Sequence, residues 1–253
     1  MSDVVENPLV ITPGTVQQGL KRVRAFSAGE LVVDALAPLQ VWGHPYYPEY
    51  FFAEGDLEVE LRPAGHGPRS KVLGVSEVFD VVIGDRVLSG AARRHPEAEV
   101  VALRDAYALT WSAFDTWMEE DEIVFTHPRS PYVRIDALAS SRHVTVTFNG
   151  VVVADSRRPV MLFETGLAPR FYLPQADVRL DLLVPTATVS HCPYKGTSTY
   201  WDLVVDGATI SDVAWSYRTP LPESTRIAGL VAFWPEKSAE LIVTVEGQEI
   251  GTA

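Results

Sequence analysis

Counting forward 121 positions from Val23 reaches Val144, and the stretches 23–61 and 144–182 then run in step for 39 residues without a gap. Eight positions are identical: Val23/Val144, Gly29/Gly150, Val32/Val153, Asp34/Asp155, Pro38/Pro159, Pro48/Pro169, Asp56/Asp177 and Leu61/Leu182. Conservative pairs such as Trp42/Phe163, Tyr50/Phe171 and Phe51/Tyr172 fill many of the rest. Shared turn formers and core apolars at one period signify a backbone written twice. The chain must therefore fold as two copies of one unit.

At 253 residues and 47% hydrophobic content there is material for two modest cores. The reading is a diverged first repeat over 1–125, a polar, proline-bearing linker over 126–142, and a second repeat over 143–253. Residues 1–22 read as a lead-in, with Pro8, Pro13 and Gly14 breaking any regular pattern. The halves are expected to pack on each other, the first as structural partner.

Local patterns predict strands. Val144 to Phe148 alternates with threonine, Asn149-Gly150 fits a tight hairpin turn, and Val151 to Val153 returns. Val178, Leu180 and Leu182 alternate with Arg179 and Asp181, predicting a strand with one wet face. Further strands are expected over 200–205, 214–217, 227–234 and 240–245, so the fold class is all-β and antiparallel. Helical periodicity shows only over 113–120.

A net charge of −12, with scattered Lys and Arg, argues against nucleic acid, which is bound through a concentrated basic face. The single cysteine leaves no internal disulfide and no multi-cysteine zinc site, so no metal and no cofactor is expected, and a reducing compartment follows. Met1-Ser2-Asp3-Val4 lacks a basic segment followed by an apolar run, and no apolar stretch is long enough to span a bilayer. The expected location is cytoplasmic, without a membrane partner.

The copies differ where chemistry would sit. The second carries Glu164 and the run His191-Cys192-Pro193-Tyr194-Lys195-Gly196, where the first has Gly43 and Arg69-Ser70-Lys71-Val72-Leu73-Gly74. Read as structure, the run is a hairpin turn in which Pro193 presets φ and Gly196 takes a conformation other residues resist. Read as chemistry, Cys192 is a nucleophile near a cation, with Lys195 as acid, base or Schiff-base former and Glu164 as the balancing carboxylate. A buried, inert cysteine is the simpler state on spacing alone. Arg158 reads either as a surface turn residue or as a holder of carboxylate or phosphate. Aromatics crowd the second half, among them Tyr172, Tyr194, Trp201, Trp215 and Tyr217. Strand alternation turns Tyr200 away from Trp201 and Phe233 away from Trp234, so one core cannot take both members of either pair.

Val153-Ala154-Asp155-Ser156-Arg157-Arg158, Leu162-Phe163-Glu164-Thr165-Gly166, Tyr172-Leu173-Pro174, the 191–196 run, Ala214-Trp215-Ser216-Tyr217 and Ala232-Phe233 together resemble the bacterial family called domain of unknown function 427. The first repeat is similar to a diverged copy. The resemblance implies a compact β fold of the β-tent kind, and a nucleotidyltransferase-like label attached to the family. The sequence shows neither a phosphate-cradling loop nor the paired metal-binding carboxylates such chemistry requires. The expected function is a small-molecule pocket in the second repeat, with Cys192, Lys195 and Glu164 as catalytic groups and Arg158, Tyr172, Tyr194, Trp201, Trp215 and Tyr217 contacting the ligand. The alternatives are a non-catalytic module with an aromatic cage, and a nucleotidyltransferase.

Overall fold

A computed structural model describes residues 11–250. Met1 to Val4, read for a leader segment, and Pro8, read as a pattern breaker, lie outside the described residues. The described residues divide into two compact units, 11–132 and 133–250. Strands dominate both, and the remaining regular structure is short 3-10 turns.

The first unit contains β1 (Val16–Gln18), β2 (Val23–Ser27), β3 (Glu30–Ala35), β4 (Leu39–Trp42), β5 (Pro48–Ala53), β6 (Glu60–Ser70), β7 (Gly74–Ile83), β8 (Arg86–Arg94), β9 (Ala106–Leu109), β10 (Thr116–Glu119) and β11 (Glu122–Val124). The second contains β12 (Ile135–Ala139), β13 (Val144–Phe148), β14 (Val151–Ser156), β15 (Val160–Glu164), β16 (Arg170–Tyr172), β17 (Leu183–Cys192), β18 (Gly196–Val205), β19 (Ala208–Tyr217), β20 (Ala232–Phe233), β21 (Leu241–Val245) and β22 (Gln248–Glu249). The sheet orders correspond: β1-β4-β5-β9-β8-β7-β6 and β11-β10-β2-β3 in the first unit are matched by β12-β15-β16, β20-β19-β18-β17 and β22-β21-β13-β14 in the second. The long sheet is interrupted between β16 and β20, where Leu173 and Val231 exchange backbone hydrogen bonds of 2.8 and 2.9 Å.

The 121-residue period is carried in backbone devices that only certain residues tolerate. Asn149 and Gly150 both have positive φ, 49° and 78°, as the two-residue hairpin turn requires, and Ala28 and Gly29 repeat this at 50° and 82°. A bulge follows in each hairpin, between Ala25 and Phe26 and between Val146 and Thr147. Isolated bridges Val33–Leu57 and Ala154–Val178 keep the same spacing. In β8 and β19 the ladder shifts register at left-handed Gly90 and Asp212, whose amides both donate at 2.8 Å to an aspartate, Asp80 or Asp202.

Four expectations need correcting. Residues 113–120 form no helix: β10 alternates, with Trp117 and Glu119 buried, and pairs with β2. Val178 to Leu182 is not a strand, because Arg179 N–H is drawn to Val153 O and a 3-10 turn occupies Leu180–Leu182. Of residues 227–234 only Ala232–Phe233 is extended; left-handed Gly229 turns the chain after the 3-10 stretch Pro222–Ile227. The lead-in and linker readings also missed strands: β1 pairs with β4, and β12, within 126–142, pairs with β15. Residues 126–132 fold back on the first unit, where Tyr132 lies edge-on to buried Trp42 at 5.8 Å.

Each unit has a principal core between its sheets and a second, smaller cluster on the outer face of the long sheet. In the first unit the smaller cluster gathers Val41, Phe51, Leu73, Leu103 and Ala108, and in the second Leu162, Tyr172, Tyr217, Ile227 and Ala232. The site develops on the second of these. No helix of the described residues is long and apolar enough to cross a membrane.

Asp177 fixes the turn after β16 by accepting from Ser156 Oγ at 2.7 Å and from Arg158 Nε and Nη2 at 3.0 and 2.8 Å. The Arg158 hydrogen bonds, foremost, hold its carboxyl below the ordinary value of 3.8. A depressed folded pKa gives stabilisation that is complete above the unfolded value and lost as pH falls through the folded one. Asp177→Asn is expected to lower stability at pH 7 and to narrow its gap from the parent below about pH 4; an equal cost in urea unfolding at pH 7 and pH 3 would refute this.

Candidate functional site

The 191–196 run closes the β17–β18 hairpin, with Cys192 opposite Gly196. Gly196 has φ +96°, a region that side chains resist, so the glycine is required by the turn. The turn is also held from outside: Lys195 O accepts from Leu221 N–H at 3.1 Å, and Tyr194 O accepts from Ser224 Oγ at 3.4 Å. This tethering projects Lys195 over the sheet, where its Nζ donates to Glu164 Oε2. Glu164 ends β15, and its carbonyl accepts from Leu167 N–H at 3.0 Å across the left-handed Gly166 turn.

The two side chains of this ion pair are only 12% and 10% exposed. Desolvating both charges costs several kcal/mol each, so a pair this buried is weak evidence for stability. The first copy supplies an internal comparison. Strand registers place Gly43 at the position of Glu164 and Leu73 at that of Lys195, and Leu73 is buried in the smaller apolar cluster there. The fold closes without the pair.

Beside the pair lies a cavity of about 450 Å3, walled by Leu162, Leu167, Tyr172, Tyr200, Trp215, Tyr217 and Trp234 and also lined by Glu164, Lys195, Arg170 and Glu236. That volume suits a small organic ligand. Trp215 and Trp234 meet edge to face at 6.2 Å, and Trp215 Nε1 donates to Tyr172 Oη at 3.2 Å. Ser190 Oγ lies 2.7 Å from Tyr200 Oη and 2.9 Å from Ser198 Oγ, and Ser198 also bonds the Tyr217 side chain. Burial, above all, raises the pKa of both Tyr172 and Tyr217, so each is a neutral phenol. Arg170 donates through two nitrogens to the two Glu236 oxygens, forming a second preformed ion pair.

Nearly the whole lining changes in the first copy. Phe51 stands for Tyr172, Val78 for Tyr200, Arg93 for Trp215, His95 for Tyr217 and Glu49 for Arg170, as the ladder registers show.

Of the nine residues singled out by sequence, Glu164, Lys195, Tyr172, Trp215 and Tyr217 converge here. Four lie elsewhere. Cys192 is half-buried and packs against the cluster containing Tyr172 and Tyr217, outside the cavity lining. Tyr194 belongs to the tethered turn. Trp201, as alternation requires, faces the principal core with Leu203 and Val205. Arg158 is bound to Asp177 on the surface. Arg170, Glu236 and Leu167 were missed. Their residue types are common in loops and strand ends, and no local pattern marks them.

The family model described as domain of unknown function (DUF427) matches residues 15–120 and 136–244, and the chain belongs to this family as two tandem copies. A search of curated proteins finds no match. Among the described residues, no three His, Cys, Asp or Glu side chains gather as a metal-binding group.

Removing one member of the buried pair strands the other. Lys195→Leu is therefore expected to cost about 3–5 kcal/mol, and Glu164→Ala/Lys195→Leu, which approximates the first copy, clearly less. Chemical denaturation of the two variants measures the difference, and a double variant as unstable as the single would contradict it.

Proposed function

We propose that the second unit binds a small, ring-bearing organic molecule of no net charge, held against Trp215 and Trp234 and addressed by Glu164 and Lys195. The observation that carries this reading is the coincidence of a costly buried ion pair with an aromatic cavity in one copy, when the other copy closes the same fold with Gly43 and Leu73. Charges of the lining cancel, two carboxylates against one ammonium and one guanidinium, and each is already paired. An ion entering the cavity would have to compete with an internal partner, whereas a neutral or zwitterionic ligand hydrogen-bonds to the pairs as they stand.

Recognition is favoured over covalent chemistry at Cys192, because the thiol lies outside the lining. One observation supports a second reading: Lys195 and Glu164 touch within the cavity, a geometry suited to passing a proton to and from a bound molecule. The nucleotidyltransferase reading gains nothing from the pocket, since Glu164 and Glu236 are each engaged by a cation of their own. The β-tent assignment and a cytoplasmic setting belong to this proposal and rest on the sequence resemblance and the lone cysteine.

A ligand-observed NMR screen of neutral heteroaromatic fragments against the full chain tests the proposal. Hits are expected to bind saturably, to lose about ten-fold or more in affinity with Trp215→Ala, and to be unaffected by Cys192→Ser. No saturable hit, or hits indifferent to Trp215→Ala, would refute it. Loss of binding in Cys192→Ser would restore the thiol to the site.

A further inference from the structure

The first unit, expected to be a structural partner only, contains a cavity of its own. It measures about 600 Å3 and opens at the loop joining β4 to β5, the loop that in the second unit leads from Glu164 to Arg170. It uses the other side of the strand. Its wall is Tyr50, Leu109, Trp111 and Trp117, and their counterparts in the second unit, Phe171, Phe233, Pro235 and Val243, leave a crevice of only about 10 Å3.

The rings are ordered. Trp111 stacks on Trp117 at 4.3 Å and 8°, and Trp117 Nε1 donates to Trp111 O at 2.9 Å, which fixes the pair. At the mouth His44 stacks on Tyr47 at 4.8 Å, and Tyr47 meets His127 edge-on at 4.9 Å. Such faces present negative electrostatic potential to whatever enters.

The polar groups point the same way. The lining has one carboxylate, Glu49, two imidazoles, and no lysine or arginine. Glu49 Oε1 accepts from Arg93, which lies outside the lining, and a Cβ built on Gly43 would stand 3.9 Å from Oε2. The glycine thus leaves the approach to that oxygen open. His127 Nδ1 lies 2.8 Å from Pro128 O and must donate to it; burial, foremost, lowers its pKa, so the ring is neutral with Nε2 as acceptor. Unlike the second unit's cavity, this one has no lysine or arginine in its lining; its carboxylate is shared with Arg93 through Oε1 alone, so an entering cation meets the aromatic faces, an acceptor imidazole and the other carboxylate oxygen.

We infer that this cavity is a second binding site, for a small organic cation, an ammonium with an apolar body. The net charge of −12 adds long-range attraction for such a ligand. The inference stands apart from the proposal for the second unit and involves none of its residues.

The probe is phenyltrimethylammonium, titrated into the full chain while the 15N indole resonances of Trp111 and Trp117 are followed, assigned from Trp→Phe variants. Saturable shifts of both are expected, together with at least about ten-fold weaker binding in Glu49→Gln. Gly43→Leu, at an exposed position with ordinary φ, is expected to block the cavity without unfolding the unit, and keeps the test alive should Glu49→Gln fold poorly. The inference is overturned if the two indoles show no saturable shift, if Gly43→Leu binds as well as the parent, or if the uncharged analogue tert-butylbenzene binds equally tightly.

Discussion

Strand alternation in β18 and β19 is the constraint on which the second unit depends. Ser198 lies opposite Tyr217 and Tyr200 opposite Trp215, while Trp201 lies opposite Ala214. Successive side chains must take opposite faces, so one ladder supplies both the principal core, through Trp201, Leu203 and Ala214, and the wall of the cavity, through Tyr200, Trp215 and Tyr217. A slip of one residue would exchange the two sets. The register shift at Asp212, pinned by Asp202 and by the hydroxyls of Thr186 and Thr188, therefore guards the site as well as the sheet.

The two copies show how one backbone accommodates different chemistry. Outer faces of the long sheets carry the difference: Leu73, Phe51 and Val41 close an apolar cluster in the first unit, where Lys195, Tyr172 and Leu162 border a cavity in the second. The reverse holds beneath the first unit's sheet, where Trp111 and Trp117 open space that Pro235 and Val243 nearly fill in the second. Hairpins, bulges and bridges sit at equivalent places, because they depend on backbone conformation and on a few residues such as Gly29/Gly150 and Asp80/Asp202. Side chains on both faces of the sheet differ around that shared backbone.

Legibility followed the range of the interactions. The Asn149-Gly150 hairpin and the turn at Gly196 were readable, since each is set by φ preferences within a few residues. The Tyr200/Trp201 and Phe233/Trp234 splits followed from a period of two. The Val178 to Leu182 alternation misled, because Asp177 and Arg179 are captured by groups from Ser156 to Arg158 and from Val153, which no local window contains. The short strands Val16–Gln18 and Ile135–Ala139 were missed for a like reason: their pairing partners supply the extended state that their own residues do not demand.

By itself the sequence determined the tandem architecture, the all-β class and which copy carries Glu164 and Lys195, because repeats, turn residues and alternation are properties of order along the chain. Only the tertiary structure decided that Glu164 and Lys195, 31 positions apart, meet as a buried pair, that Arg170 joins Glu236, and that Cys192 stands behind the aromatic wall. It alone disclosed the cavity of the first unit, whose His44, Trp111 and His127 come from separate loops. Contacts of this kind are set by sheet register and by the turns that return distant segments to one place, and neither is written in any short stretch of residues.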